Sequence, residues 1–373
     1  MYSVEKTRSL NFFKHFDFVL LISVLLLSII GLLAISSATK SSPDGSGMVI
    51  KQAVCIALGI IIAFTLSVID YKDFKILGLI LYSISLVLLV YVLFKGVGGK
   101  NYGSNSWILL PFGQQFQPAE LAKITFIIVL SIYFEKLKEK RVLKNILIIA
   151  LLSILPIGLV VLQQDFGTAM VFVFIMFVLL FAYGLRYRYL IAAMVMSIPI
   201  SLFAWFYVLN GARKARILIF LNPQLDPQIT GYQMIQAKRA IGSGQMYGKG
   251  LFNGVTTVPE QKNDMIFTVI GEQLGFIGAV IIITLIFFML FRCIYIAKNS
   301  RDLFGSYLII GLTGMMGFHF LENIGANLGL LPLTGIPLPF ISYGGTAMIT
   351  NYLAIGIMLS VSMRRKRTIF NSD

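Results

Sequence analysis

The sequence predicts an all-α integral membrane protein: a polytopic bundle of about ten transmembrane helices with a large extracellular loop between helices 7 and 8. Three observations carry this. Hydrophobic residues make up 57% of the 373 and charged residues only 13%, with a mean hydropathy of +0.85. A soluble domain of this length could not hide so much apolar surface. Apolar windows of spanning length recur along the whole chain, and basic residues cluster at alternate ends of them.

Taken in order, the windows fall near 16–37, 49–69, 74–95, 117–135, 144–163, 167–185, 188–209, 265–296, 304–330 and 341–363. The first follows Lys6, Arg8 and Lys14. Its apolar run is about twenty residues, longer than the 7–15 of a signal-peptide core. Ser36-Ser37-Ala38 is therefore read as part of an uncleaved helix rather than as a cleavage site. Segments sharing the N-terminal side hold Lys72 and Lys75, then Lys136, Lys138, Lys140, Arg141 and Lys144. Arg186 and Arg188 follow, then Arg292, Lys298 and Arg301, and finally Arg364 to Arg367. The opposite connections are short and lightly charged, so both termini are expected in the cytoplasm of a multi-pass protein of the cytoplasmic membrane. Residues 1–373 read as a single membrane domain. The net charge of +15 is largely accounted for by this asymmetry and does not point to nucleic acid. Cys55 and Cys293 lie within or at the end of apolar runs and form neither a metal spacing nor a disulfide framework.

The segment 211–263 breaks the charge pattern. It is expected outside, yet holds Arg213, Lys214, Arg216, Lys238, Arg239, Lys249 and Lys262. Long loops translocate largely regardless of charge, so the topology stands. An anionic ligand is the natural reason for the charge; a merely solvated loop is the plain alternative. Asn222-Pro223 and Asp226-Pro227 mark turns. Tyr232 to Ala240 fits a short amphipathic helix on the membrane, with Lys238 and Arg239 on its polar face. Gly242-Ser-Gly244 and Gly248-Lys-Gly250 would let backbone N–H groups approach phosphate oxygens. This is no Walker loop, since neither Ser nor Thr follows Lys249. The segment runs into Pro259-Glu260-Gln261-Lys262-Asn263-Asp264, a lone acid at the mouth of the next helix. Ionisable groups at bilayer depth cost roughly 2.5 kcal/mol or more, so function is the default reading of Asp264.

Other polar groups interrupt the apolar runs. Gln117-Pro-Ala-Glu120-Leu-Ala-Lys123 sets an acid and a base three apart on one helix face, where they can pair. A structural lock is favoured over catalysis for this pair. Asp165, in Gln163-Gln-Asp-Phe-Gly-Thr168, either caps the helix that follows or helps hold a cation. His319 and Glu322 are three apart, but the only other histidine, His15, is expected on the cytoplasmic side. A His-rich zinc site is thereby excluded, and a packed or hydrogen-bonded His319 is favoured. Leu331 to Phe340 contains Pro332, Pro337 and Pro339 and no charge, and is followed by Ile341-Ser342-Tyr343-Gly-Gly345. This reads as an ordered outer loop dipping into the membrane and packed on protein.

Together these segments resemble the SEDS family, the shape, elongation, division and sporulation proteins typified by RodA and FtsW. The resemblance covers essentially the whole chain. It is carried by Gln117–Lys123, Gln164–Thr168, Gly231–Gly250, Pro259–Asp264 with Gly271–Gly275, and Leu331–Gly345. Gly248-Lys249-Gly250 looks more like the RodA branch. The chain departs from the family at Gly244-Gln245, where two glycines are usual, and at Lys262-Asn263, where His or Ala precedes Thr. It departs again at Gln236-Ala237, where Gln-Ser is usual, and at Ser106, where a basic residue precedes Trp107.

The resemblance implies a peptidoglycan glycosyltransferase that polymerises lipid II at the outer face of the cytoplasmic membrane, for elongation and rod shape. The reaction would be an inverting displacement of undecaprenyl pyrophosphate with Asp264 as general base. Arg213, Arg216, Lys238, Arg239, Lys249 and Lys262, with Gln236 and Tyr232, would hold the substrate and its pyrophosphate. Glu120, Lys123, Asp165, Glu260, Ser342 and Tyr343 would support them. No cofactor is assigned with certainty; a divalent cation (Mg or Mn) is allowed for, with Asp264 or Asp165 as its ligand. Expected partners are the nascent glycan strand, a class B penicillin-binding protein and other elongation-complex membrane proteins, with no nucleic acid. The rival readings are a lipid-linked precursor flippase, whose path would use Glu120, Lys123, Asp165 and Glu322, and a non-catalytic scaffold for the penicillin-binding protein. A division or sporulation role is the paralogue alternative.

Overall fold

A computed structural model describes residues 16–40, 42–98, 105–109, 115–139, 143–185, 211–226 and 230–365, with isolated positions between 186 and 210. Helix α1 spans Phe18–Ala38 and starts where the Asp17 carboxylate accepts the Leu20 N–H at 3.1 Å. Helix α2 (Gly45–Val68) leads to α3 (Tyr71–Lys95), which Asp70 caps through the Lys72 N–H at 3.0 Å. A small antiparallel hairpin follows, β1 (Ile108–Leu109) against β2 (Gln115–Phe116), with Ile108 opposite Phe116. Helix α4 (Pro118–Glu139) opens on proline, whose missing N–H costs nothing at a first helical position. Helix α5 (Leu143–Leu162) precedes α6 (Phe166–Tyr183), which ends on Gly184 at φ +85°. Next come α7 (Gly211–Leu221), α8 (Thr230–Ser243), α9 (Ile266–Lys298), α10 (Leu303–Asn327) and α11 (Gly345–Met363).

Among the described residues, α1, α2, α3, α6, α9, α10 and α11 are long and apolar enough to cross a membrane. Helix α5 adds a shorter apolar stretch, Leu147–Leu162. Helix α4 carries charges at both ends but is buried almost throughout, and with α10 it forms the centre of the bundle. The expected helix 188–209 lies largely outside the described residues. The other nine windows match α1–α6 and α9–α11. Close packing follows from small residues at the interfaces. A Cβ on Gly59 of α2 would stand 2.5 Å from the Tyr352 ring of α11, and one on Gly311 of α10 would meet Ile127 of α4 at 2.6 Å. At one end of the bundle Arg292 pairs with Asp17 at 2.9 Å, Arg364 with Asp70 at 3.3 Å, and Lys75 with Glu135.

Two features correct the sequence reading. Segment 211–263 is not a loop with one short helix: α8 covers the expected Tyr232–Ala240, but α7 precedes it and carries Arg213, Lys214 and Arg216. Window 265–296 is not one continuous helix either, because α9 is interrupted at Gly275 (φ 66°, ψ −165°). The chain at 245–250 repairs the break. Gln245 and Met246 carbonyls accept the N–H groups of Phe276 (2.8 Å) and Ile277 (3.1 Å), while Lys249 and Gly250 N–H groups reach the carbonyls of Glu272 and Gln273, each at 3.0 Å. Only glycine fits this contact. A Cβ on Gly244 would meet the Gly271 carbonyl at 2.0 Å, and one on Gly248 (φ +78°) would meet the Gln273 carbonyl at 2.1 Å. Gly244 and Gly248, read as part of a phosphate nest, thus have a packing role.

Candidate active site

Asp264 is set on a tight turn before α9. Glu260 adopts φ +55°, its carbonyl accepts the Asn263 N–H at 2.9 Å, and its carboxylate accepts Asn263 Nδ2 at 2.6 Å. The turn is then tied to three other elements. Gln233 Nε2 of α8 donates to the Pro259 carbonyl at 3.2 Å. From the segment before α11, Ser342 Oγ donates to the Asn263 carbonyl at 2.5 Å and the Tyr343 N–H donates to that of Lys262 at 2.9 Å. From α10, Asn323 Nδ2 and Asn327 Nδ2 both donate to the Asp264 carbonyl, at 2.7 and 2.8 Å. The Asp264 backbone is therefore fixed by side chains far apart in sequence, and its half-buried carboxyl faces a cavity of 660 Å³.

The most buried wall of that cavity holds a charged cluster. Lys123 Nζ donates to Glu120 Oε1 at 2.7 Å and lies 3.0 Å from His319 Nε2; the Lys123 and Glu120 side chains are 1% and 6% exposed. Asp165 also lines the cavity and is the N-cap of α6: one oxygen accepts the Thr168 N–H at 3.1 Å, the other Gln117 Nε2 at 3.0 Å. Helix α10 joins these parts, because His319, Glu322, Asn323, Ala326 and Asn327 recur at helical spacing on its buried side. Glu322 accepts from Thr334 Oγ1, which anchors the proline-rich segment 331–340 to the same face. That segment is irregular, as its prolines require, and is packed on protein.

The structure thus brings Asp264, Asp165, Glu120, Lys123, Glu260 and Tyr343 to one cavity, with Ser342 bracing the turn. It places Lys238, Arg239, Lys249 and Lys262 outside the cavity lining. Lys249 pairs with the buried Glu272 at 2.7 Å, and that carboxylate also accepts the Val255 and Thr256 N–H groups at 3.1 and 3.0 Å. Lys238 lies along Gly329, Lys262 reaches Met48 Sδ at 3.6 Å, and Arg239 is exposed. Gln236 and Tyr232 lie on α8 outside the cavity lining. Arg213 and Arg216 belong to α7, but their side chains are outside the described residues. Among the described residues the cavity's cations are Lys123 of α4 and Lys51 of α2, and Lys51 forms no ion pair among them. Among those residues no three His, Cys, Asp or Glu side chains converge as a metal site would require. The sequence reading missed Lys51, the Asn323–Asn327 clamp and the His319–Lys123 contact. The four-residue spacing of two asparagines in an apolar helix was the available signal.

A deeply packed helical bundle with a charged cavity and a rigidly mounted carboxylate is the build of a polytopic membrane enzyme. The sequence profile of the FtsW, RodA and SpoVE cell cycle proteins matches residues 17–367. A probable peptidoglycan glycosyltransferase FtsW from Geobacter metallireducens is 35% identical over 95% of this chain and 96% of its own. The peptidoglycan glycosyltransferase MrdB of Escherichia coli is 32% identical over 94% and 95%. Among solved structures, a chain from a peptidoglycan synthase complex that coordinates polymerization and crosslinking matches with a TM-score of 0.80 at 29% identity, covering 93% of this chain and 97% of that one. The rod shape determining protein RodA of Thermus thermophilus matches at 0.71 and 29%, covering 95% and 98%. The chain belongs to the FtsW, RodA and SpoVE family and is a membrane enzyme of the glycosyltransferase class for which these relatives are named.

Proposed function

We propose that this glycosyltransferase polymerises lipid II, with Asp264 as general base. The observation that carries the reading is the mounting of Asp264: a half-buried carboxyl on a turn held by α8, α10 and the segment before α11, facing a cavity large enough for sugar rings. Asp264 takes the proton of the acceptor's 4-hydroxyl as that oxygen attacks the anomeric carbon of the donor. The bond from that carbon to the lipid pyrophosphate breaks with inversion, and the pyrophosphate leaves with the electron pair. Lys51 is placed to meet its charge, and such preorganised stabilisation acts most strongly where water is excluded. A flippase reading is disfavoured by α4, where Ile124, Phe126, Ile127 and Leu130 close the bundle with apolar side chains directly beyond Lys123.

The cavity end of the bundle is assigned to the outer face. A crosslinking class B penicillin-binding protein is the proposed partner, supported by the neighbour whose complex joins polymerization to crosslinking. The elongation role rests on Gly248-Lys249-Gly250 and on the likeness to RodA, while identities of 35% to FtsW and 32% to MrdB keep a division role as the alternative. Rescue of cells depleted of their own elongation or division protein separates the two.

The decisive measurement is polymerisation of purified lipid II by the purified chain. General base catalysis contributes about 10²–10⁴-fold, so Asp264→Asn should drop the rate by that factor while lipid II binding persists. Near-normal synthesis by this variant would remove Asp264 from the base role.

A further inference from the structure

The contact between His319 and Lys123 does more than fill the core. Lys123 is an ammonium with donors only, so His319 Nε2 must accept from it and the imidazole proton sits on Nδ1. Glu120 takes a second N–H at 2.7 Å. An ammonium has three N–H bonds, and these two contacts fix the direction of the third. Lys123, Glu120 and His319 all line the cavity and are almost wholly buried, so a phosphate oxygen entering the cavity is an available acceptor for that third donor. A lone Lys–Glu pair would leave the ammonium free to rotate about its bond; the second acceptor, from a different helix, removes that freedom.

We propose that His319 is a positioning residue that holds Lys123 so that its remaining N–H meets a phosphate oxygen of the bound substrate. The inference rests on the reading of this cavity as the lipid II site and adds to it a second contact for the pyrophosphate, on the wall formed by α4 and α10. Lys51 on α2 is the other cavity cation, so the phosphates would lie between two lysines from different helices. A hydrogen bond of this kind is charge-assisted and stronger than a neutral one.

The test uses the purified full-length chain and lipid II, with kcat and KM measured separately. His319→Gln keeps an acceptor that reaches Lys123, His319→Asn keeps the amide but is too short, and His319→Phe fills the space with none. The Gln variant should stay close to wild type. Asn and Phe should lose about tenfold or more in kcat/KM, mostly through KM, the scale set by one charge-assisted hydrogen bond. Inhibition by inorganic pyrophosphate should weaken by a similar factor in the same two variants. If Phe does not fold, the Gln–Asn comparison decides, since both bury the same group. An Asn or Phe variant with unchanged KM overturns the proposal, and so does a Gln variant impaired as much as Phe. Unaltered pyrophosphate inhibition alongside a raised KM rules out the phosphate contact. A wild-type chain that fails to polymerise lipid II while Asp264→Asn behaves identically would instead sink the reading of the cavity itself.

Discussion

Removing Glu120 would leave the Lys123 ammonium buried among the apolar side chains of α4 with His319 as its remaining partner among the described residues. Breaking a buried pair by deleting one member costs about 3–5 kcal/mol. Glu120→Gln or Lys123→Met should therefore lower thermal stability in detergent strongly, and the double variant should recover part of the loss. A double variant with wild-type stability would contradict the lock, and by the phosphate contact proposed for Lys123 it should polymerise poorly however stable it is. At this scale the conspicuous residues were those whose charge contradicts an apolar neighbourhood: Asp264, Asp165, Glu120 and Lys123. Lys249 shows the limit. Its partner Glu272 stands 23 residues away across the α9 break, and nothing in the spacing announces that the two neutralise each other.

Helix α9 carries two environments on one element. Ile266 to Gln273 are buried in protein, whereas Phe276, Val280 and Ile281 are exposed in the manner of a lipid-facing row. Gly275 separates them, and a Cβ there would stand 2.3 Å from the Gly248 nitrogen at φ +66°. Gly275→Ala must therefore shift backbone on both sides of the contact, and should lower folded yield and melting temperature. Gly242→Ala, with nothing within 4 Å of the added methyl, should melt like wild type. Equal melting of the two variants would contradict the close-contact account. Hydropathy showed that α9 exists but not that it breaks, because a helical break satisfied by a distant loop leaves the apolar run uninterrupted. The same holds for α7, whose basic first turn reads as loop until Ile219 of its apolar second half is seen buried.

For the whole molecule, the proposed orientation puts the end bearing Asp17, Arg292 and Arg364 in the cytoplasm, as the distribution of basic residues favours, and the cavity outside. In a chain with Cys55 and Cys293 replaced by Ala, cysteines introduced at the exposed Asn253 and Arg301 test this. An impermeant thiol reagent should label the first in intact cells and the second only after permeabilisation. Labelling of position 301 alone would invert the assignment.

Membrane class and nine of the helices could be read from the sequence, and Asp264 stood out there as a candidate, because each depends on local chemistry. An apolar run of spanning length has one stable backbone in lipid, and a lone acid at its mouth is costly wherever the rest of the chain lies. Which cations face Asp264 was decided only by tertiary structure. Seven basic residues crowd segment 211–263, yet the described cavity draws its positive charge from Lys51 on α2 and Lys123 on α4. Cavity membership depends on how helices distant in sequence pack, and charges nearby in sequence are satisfied by partners, such as Glu272 for Lys249, that folding brings to them. The clamp of Asn323 and Asn327 on the Asp264 carbonyl belongs to the same category, since it joins residues 59 and 63 positions apart.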